Sequence, residues 1–229
     1  MSSSVPVHSK IITQVGRKVL RPFGFFQKGR SRIWISDQSW WIGIVDFQPS
    51  DGRRGTYLGY HIEWLWGRHD YITFDFGHRG NEYYQFENEE QFETIAATLA
   101  LKAAMKVDEY RKSFRSVESA SDYFLANLPL GHFPKRNAAI LHGLARRMRD
   151  AADLFVECAA PSNDSREWAS RARQDAAYLL SLVAEPDLFR EEIIARIHHT
   201  RTLQRLPALE KISFATAPST LAEPVARLE

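Results

Sequence analysis

Six potential metal ligands crowd one stretch of this 229-residue chain: His61, Glu63, His69, Asp70, Asp75 and His78 fall within eighteen residues. Imidazole and carboxylate are donors that zinc or iron takes, with one position left for water. Side chains two apart on a strand share a face, which puts His61 beside Glu63. There is no HExxH, and three elements must converge before His61, Glu63, His69 and His78 could hold one ion. A solvated sheet face with histidines in its loops accounts for the same residues without a metal.

A second group is cationic. From residue 10 to residue 32 there are seven cations (Lys10, Arg17, Lys18, Arg21, Lys28, Arg30 and Arg32) and no acid. Phe23, Phe25 and Phe26 are interleaved with them and Trp34 follows. Cations with stacking aromatics are what single-stranded nucleic acid or RNA recognition uses. Two plainer arrangements fit as well: a core of phenylalanines under a solvated face, or pairing with the five acids between residues 82 and 93.

The third group is aromatic. Trp40, Trp41, Trp64, Trp66, Tyr83 and Tyr84 exceed what one sheet face needs, and adjacent tryptophans on a strand point to opposite faces. One of each pair is then exposed or covered by another element, such as the helical C-terminal half. Tryptophan and tyrosine are favoured at interface hot spots, so these residues, with Arg53, Arg54 and Arg68 beside them, form a candidate protein-binding surface.

Other chemistry is narrowed by what the chain lacks. GxSxG is missing, which argues against a serine nucleophile; GxxxxGK[ST] and GxGxxG are missing too, which argues against nucleotide cofactors, and no cofactor is expected. Cys158 sits in an apolar helix pattern as a small hydrophobe, and a lone cysteine excludes an intramolecular disulfide and a multi-cysteine zinc site. The formal charge of +2 names no polyanion partner by itself. Without an apolar leader or a stretch of about 18–20 apolar residues, the expectation is a cytoplasmic protein with no membrane partner.

The elements that must position these groups follow from texture. Of 28 aromatics, 18 lie between Phe23 and Phe92, which places the sheet there; helix formers dominate afterwards. Ile11, Ile12, Val15 and Val19 make one apolar stripe of a helix over 7–20, ended by Pro22. Strands are expected over 31–36, 40–48, 57–66, 71–76 and 82–86, with turns at 49–55 and 77–81. A long helix begins at Asn88, Ser116 caps a short one, and three more cover 135–160, 165–184 and 187–206. The fold class is α+β: an antiparallel sheet packed by two helices over 1–128, a hinge at 129–134, an all-helical domain over 135–206, and a flexible tail over 207–229.

The order "VGRKVLRPFGFFQKGRSRIWI", "DFQPS", "TYLGYHIEWLW" and later "FRSVESASDYFLA" resembles the domain-of-unknown-function 4304 family over roughly residues 10–128. The resemblance implies a bacterial α+β domain and supplies no catalytic residue; Gly24, Phe25 and Gln48 match its pattern. "AAILHGLARRMRDAADLFVECA" is similar to one tetratricopeptide helix–turn–helix unit, without the neighbours a repeat needs.

Three readings of function result. The first is a bacterial protein-binding module without enzymatic activity, immunity-like by analogy with other small α+β domains, using the tryptophan surface. The alternative is nucleic-acid binding through Arg17, Lys18, Arg21, Lys28, Arg30, Arg32 and Trp34. The third is a metal-dependent enzyme around His61.

Overall fold

The computed structural model describes residues 5–127 and 130–216. The tail expected beyond 216 and the first residue of the expected hinge, Pro129, lie outside them. Contacts divide the chain into two compact units, one of residues 5–63 and 76–112, the other of Trp64–Asp75 and Ser113–Thr216.

The first unit is α+β. Helix α1 (Val7–Val19) leads through a 3₁₀ turn at Arg21–Phe23 into strands β1 (Phe26–Gln27), β2 (Ile33–Asp37), β3 (Trp41–Ser50), β4 (Arg53–Trp64) and β5 (Phe76–Gln85), then helix α2 (Glu89–Ser113). The strands form one antiparallel sheet in chain order. Pro22 stops α1 and Gly24, at φ 79°, turns the chain back, a conformation open to glycine at no steric cost. Ile11, Ile12 and Val15 of α1 and Phe92, Ala96, Leu99, Ala103 and Val107 of α2 share one buried cluster with Trp34, Val45, Phe47 and Leu58 of the sheet. Both helices therefore cover the same sheet face, as the apolar stripes require.

Strand β1 has no counterpart among the expected strands, and the strand limits differ most in two further places. The turn foreseen over 49–55 shrinks to Asp51-Gly52, with Gly52 at φ 69°, the residue pair a two-residue hairpin favours. The strand expected over 71–76 begins only at Phe76, and the supposed turn over 77–81 is inside β5. Gly77 and Gly80 read as turn residues, yet they serve close backbone approach: a Cβ at Gly77 would stand 2.4 Å from the Tyr60 carbonyl oxygen. Before β5, the Asp75 carboxylate takes the backbone N–H of Trp64 at 2.9 Å.

The second unit is helical: α3 (Val117–Ala126), α4 (His132–Leu144), α5 (Met148–Ala159), α6 (Glu167–Leu182) and α7 (Pro186–Leu203). Ser116 caps α3 in a reciprocal box with Ser119. Helix α4 packs on α3, α5 and α7, and α6 on α5 and α7. The helix foreseen over 135–160 is two. Arg147 N–H bonds to His142 O at 2.8 Å and Arg146 N–H to Gly143 O at 3.0 Å, with Arg146 at φ 60°. That is a Schellman termination with arginine where glycine is usual. Helix α4 also starts at His132, inside the stretch read as hinge, with Pro134 in its first turn where a missing N–H costs nothing.

Residues 64–75 are tied into this unit. Trp66 Nε1 donates to Asn137 Oδ1 at 2.9 Å, Arg68 N to Thr200 Oγ1 at 3.0 Å, and Gln204 Nε2 to Tyr71 O at 3.0 Å. Residues 207–216 bury Ile212 and Phe214, and Thr216 Oγ1 donates to Phe114 O at 2.5 Å. No helix among the described residues is long and apolar enough to cross a membrane.

Candidate functional site

The tryptophan surface is interior. Trp40 and Trp41 are 0% exposed, Trp64 2% and Trp66 1%, so the four residues are core and present no docking face. Trp64 stacks on Trp66 at 5.3 Å between centroids and meets Phe114 and Phe124 edge-on. Alternation along a strand does put neighbours on opposite faces, yet both members of the Trp40–Trp41 pair are buried. The arginines paired with them are separate. Arg53 lies over the Tyr83 ring at 4.3 Å and donates to Tyr57 OH at 3.1 Å, Arg54 is exposed, and Arg68 bonds to Glu192 at 2.9 Å.

The histidine set does not converge. Among the described residues, no group of three or more His, Cys, Asp or Glu side chains could hold a metal ion. His61 and Glu63 are buried on β4, and burial, then His78 and Arg79, push the His61 imidazole down to about 4. His78 sits on the Tyr60 ring at 5.6 Å, and His69 stacks on Tyr71 in the 64–75 segment. Burial pushes the Cys158 thiol up to about 11, away from the thiolate a nucleophile needs.

The basic stretch splits in two. In its second half Trp34 is fully buried, with Phe23 and Phe25, so it offers no plane for a base to stack on. Arg32 is half-buried and committed: Nη1 donates to Gly55 O at 3.2 Å and Nη2 to Ser9 Oγ at 2.5 Å. Lys28 is half-buried; burial lowers its ammonium pKa, against the pull of Glu63. Arg30 is exposed.

The first half is a surface. Ile11, Ile12, Val15 and Gly16 face inward from α1, leaving Lys10, Gln14, Arg17 and Lys18 outward, continued by Arg21 in the 3₁₀ turn. Helix α1 contains no acid, and Lys10, Arg17, Lys18 and Arg21 form no ion pair with any described residue. Arg17 and Lys18 in the last turn also suit the negative end of the helix dipole. The stretch from Lys10 to Arg21 covers about 16 Å at 1.5 Å per residue.

The structure also assembles a set that no spacing announces: Tyr60, His78, Glu82, Tyr84 and Lys102 line one depression in the first unit. Lys102 is on α2 and the others on β4 and β5, so only strand register brings them together.

No known protein family, curated protein or solved structure matches this chain. Its function has to be read from this geometry.

Proposed function

We propose that the chain binds nucleic acid through the outward face of α1, with Lys10, Arg17, Lys18 and Arg21 on the phosphates. The observation that carries this reading is that all four cations are exposed, three on α1 and Arg21 on the 3₁₀ turn that continues it, and none is neutralised by a described acid. About 16 Å of helix matches the axial length of roughly five base pairs. Since Trp34, Phe23 and Phe25 are buried, the recognition is of backbone phosphate and carries little sequence preference.

The test is fluorescence anisotropy with labelled single- and double-stranded oligonucleotides over a salt series. Reversing Lys10, Arg17, Lys18 and Arg21 to glutamate should remove binding. Reversing Arg30 alone should cost little. Affinity that survives the fourfold reversal, or binding to anionic vesicles but to no oligonucleotide, would overturn the reading.

A protein partner is the second reading, supported by β5, which ends the sheet and, among the described residues, pairs as a strand with β4 alone. An unpaired strand edge is a template for an added strand. A stoichiometric partner recovered from lysate at high salt after nuclease treatment would favour it.

A further inference from the structure

The register of β4 and β5 slips at one point. Tyr57 pairs with Tyr83 and Gly59 with Arg79, so Leu58 alone on β4 stands against residues 80–82 of β5. Such a bulge interrupts the ladder and re-aims side chains. A depression of about 140 Å³ opens there, with buried Leu58 as its floor, half-buried Tyr60 and Tyr84 as walls, and exposed His78, Glu82 and Lys102 around its mouth. Gly80 lets the bulged strand lie close to β4. A Cβ at that position would stand 2.8 Å from the Leu58 carbonyl oxygen, so this lining position carries no side chain.

The charges in this cradle are separated. Lys102 and Glu82 line the same cavity without an ion pair between them, and Lys102 has no ion pair with any described residue. Glu82 is held by the Tyr84 hydroxyl, which donates to Oε2 at 2.5 Å. The His78 ring lies beside that of Tyr60, tilted at 37° with 5.6 Å between centroids. Unlike charges held apart across an aromatic cleft are complementary to a molecule carrying both signs. The volume is far below the roughly 300–1,000 Å³ of pockets for drug-sized ligands, which selects something small.

We propose that this cradle binds a free α-amino acid with a small apolar side chain: carboxylate on Lys102, ammonium on Glu82, side chain against Leu58 and Tyr60. The ammonium also faces aromatic rings, which attract it further. The site is independent of the α1 face and does not rest on the nucleic-acid reading.

The test is an amide-resonance NMR titration of the full chain with L-alanine, L-valine and L-leucine, beside 4-methylpentanoate and isoamylamine, which keep one charge of leucine each. Leucine should shift the resonances of Gly80, Asn81 and Lys102, and each one-charge analogue should bind at least about ten-fold more weakly than leucine. Lys102→Met and Glu82→Gln change exposed positions and leave the fold intact; each should weaken amino-acid binding by about ten-fold or more. Three results would overturn the proposal: unmoved resonances at millimolar amino acid, one-charge analogues that bind as well as leucine, or affinity unchanged in both variants.

Discussion

Gly16 of α1 lies flat against the indole of Trp34. A Cβ at Gly16 would stand 2.3 Å from Cζ2 and 2.4 Å from Cε2 of that ring, and Trp34 is fully buried in the sheet face beneath. A mid-helix glycine gives up about 1 kcal/mol of helix propensity relative to alanine; here the close approach decides the residue. The contact sets the depth at which α1 is seated, and so which way its cations point.

Gly16→Ala should therefore destabilise the chain although alanine is the better helix former. The buried indole has nowhere to retreat, and overpacking of this kind costs about 1–3 kcal/mol. Urea denaturation of the two proteins measures it. A more stable variant would mean that the helix lifts off the ring freely.

Binding through α1 makes a quantitative claim about salt. Each cation that contacts a phosphate should lower the slope of log K against log[salt] by about one when it is neutralised. Lys10→Gln, Arg17→Gln, Lys18→Gln and Arg21→Gln, made singly, should each weaken oligonucleotide binding alike for every sequence. Lys28→Gln should change the slope less, since Lys28 is half-buried. Anisotropy titrations at several salt concentrations read the slopes directly.

Acid should weaken the fold through His61. Its imidazole stays neutral down to about 4, chiefly because it is buried, against 6.5 when free. The unfolded chain thus takes up the proton first as pH drops. The contribution is whole above pH 6.5 and is lost between 6.5 and about 4, on the order of 3 kcal/mol at most. Burial also lowers His8, His69, His132 and His142, so part of the slope will persist without His61. Urea midpoints at pH 7 and pH 4.5 should differ less in His61→Gln than in the parent; an equal difference would assign the acid sensitivity elsewhere.

In the helical unit, Arg196 is 1% exposed and serves two acids, with Nη1 2.8 Å from Asp175 and Nε 2.7 Å from Glu192. Removing one member of a buried ion pair leaves the others desolvated without a partner, at a cost of about 3–5 kcal/mol. Because Arg68 and Arg136 also reach these carboxylates, Arg196→Met should fall near the lower end. Arg196→Lys keeps the charge without the planar fork and should lose less. Chemical denaturation of the three proteins gives the order, and a methionine variant as stable as the parent would show the network to be dispensable.

Locally encoded features were legible. The apolar stripe of α1, its stop at Pro22, a chain reversal within 49–55, the Ser116 cap and the passage from aromatic strands to helices all depend on residues a few positions apart. Periodicity and turn chemistry read such features directly. The outward cations of α1 follow from the same stripe, because the side opposite Ile11, Ile12 and Val15 has to face solvent.

What stayed hidden depended on partners distant in sequence or on local costs that packing outweighs. Arg146 adopts a left-handed conformation at a cost of about 1 kcal/mol, which two terminating hydrogen bonds offset, so no glycine marked the split between α4 and α5. Gly77 and Gly80 looked like a turn because composition does not distinguish a reversing chain from two backbones in close contact. The four tryptophans looked like a surface because alternation assigns a face without saying whether anything covers it. Likewise Glu82 and Lys102 come to line one cavity only through the β4–β5 bulge and the seating of α2 on the sheet. The sequence by itself determined which elements form and which side of each is apolar, since both are properties of neighbouring residues. Only the tertiary structure decided which of those sides are buried and which charges share a cavity, since both require chain segments far apart in sequence to be brought into contact.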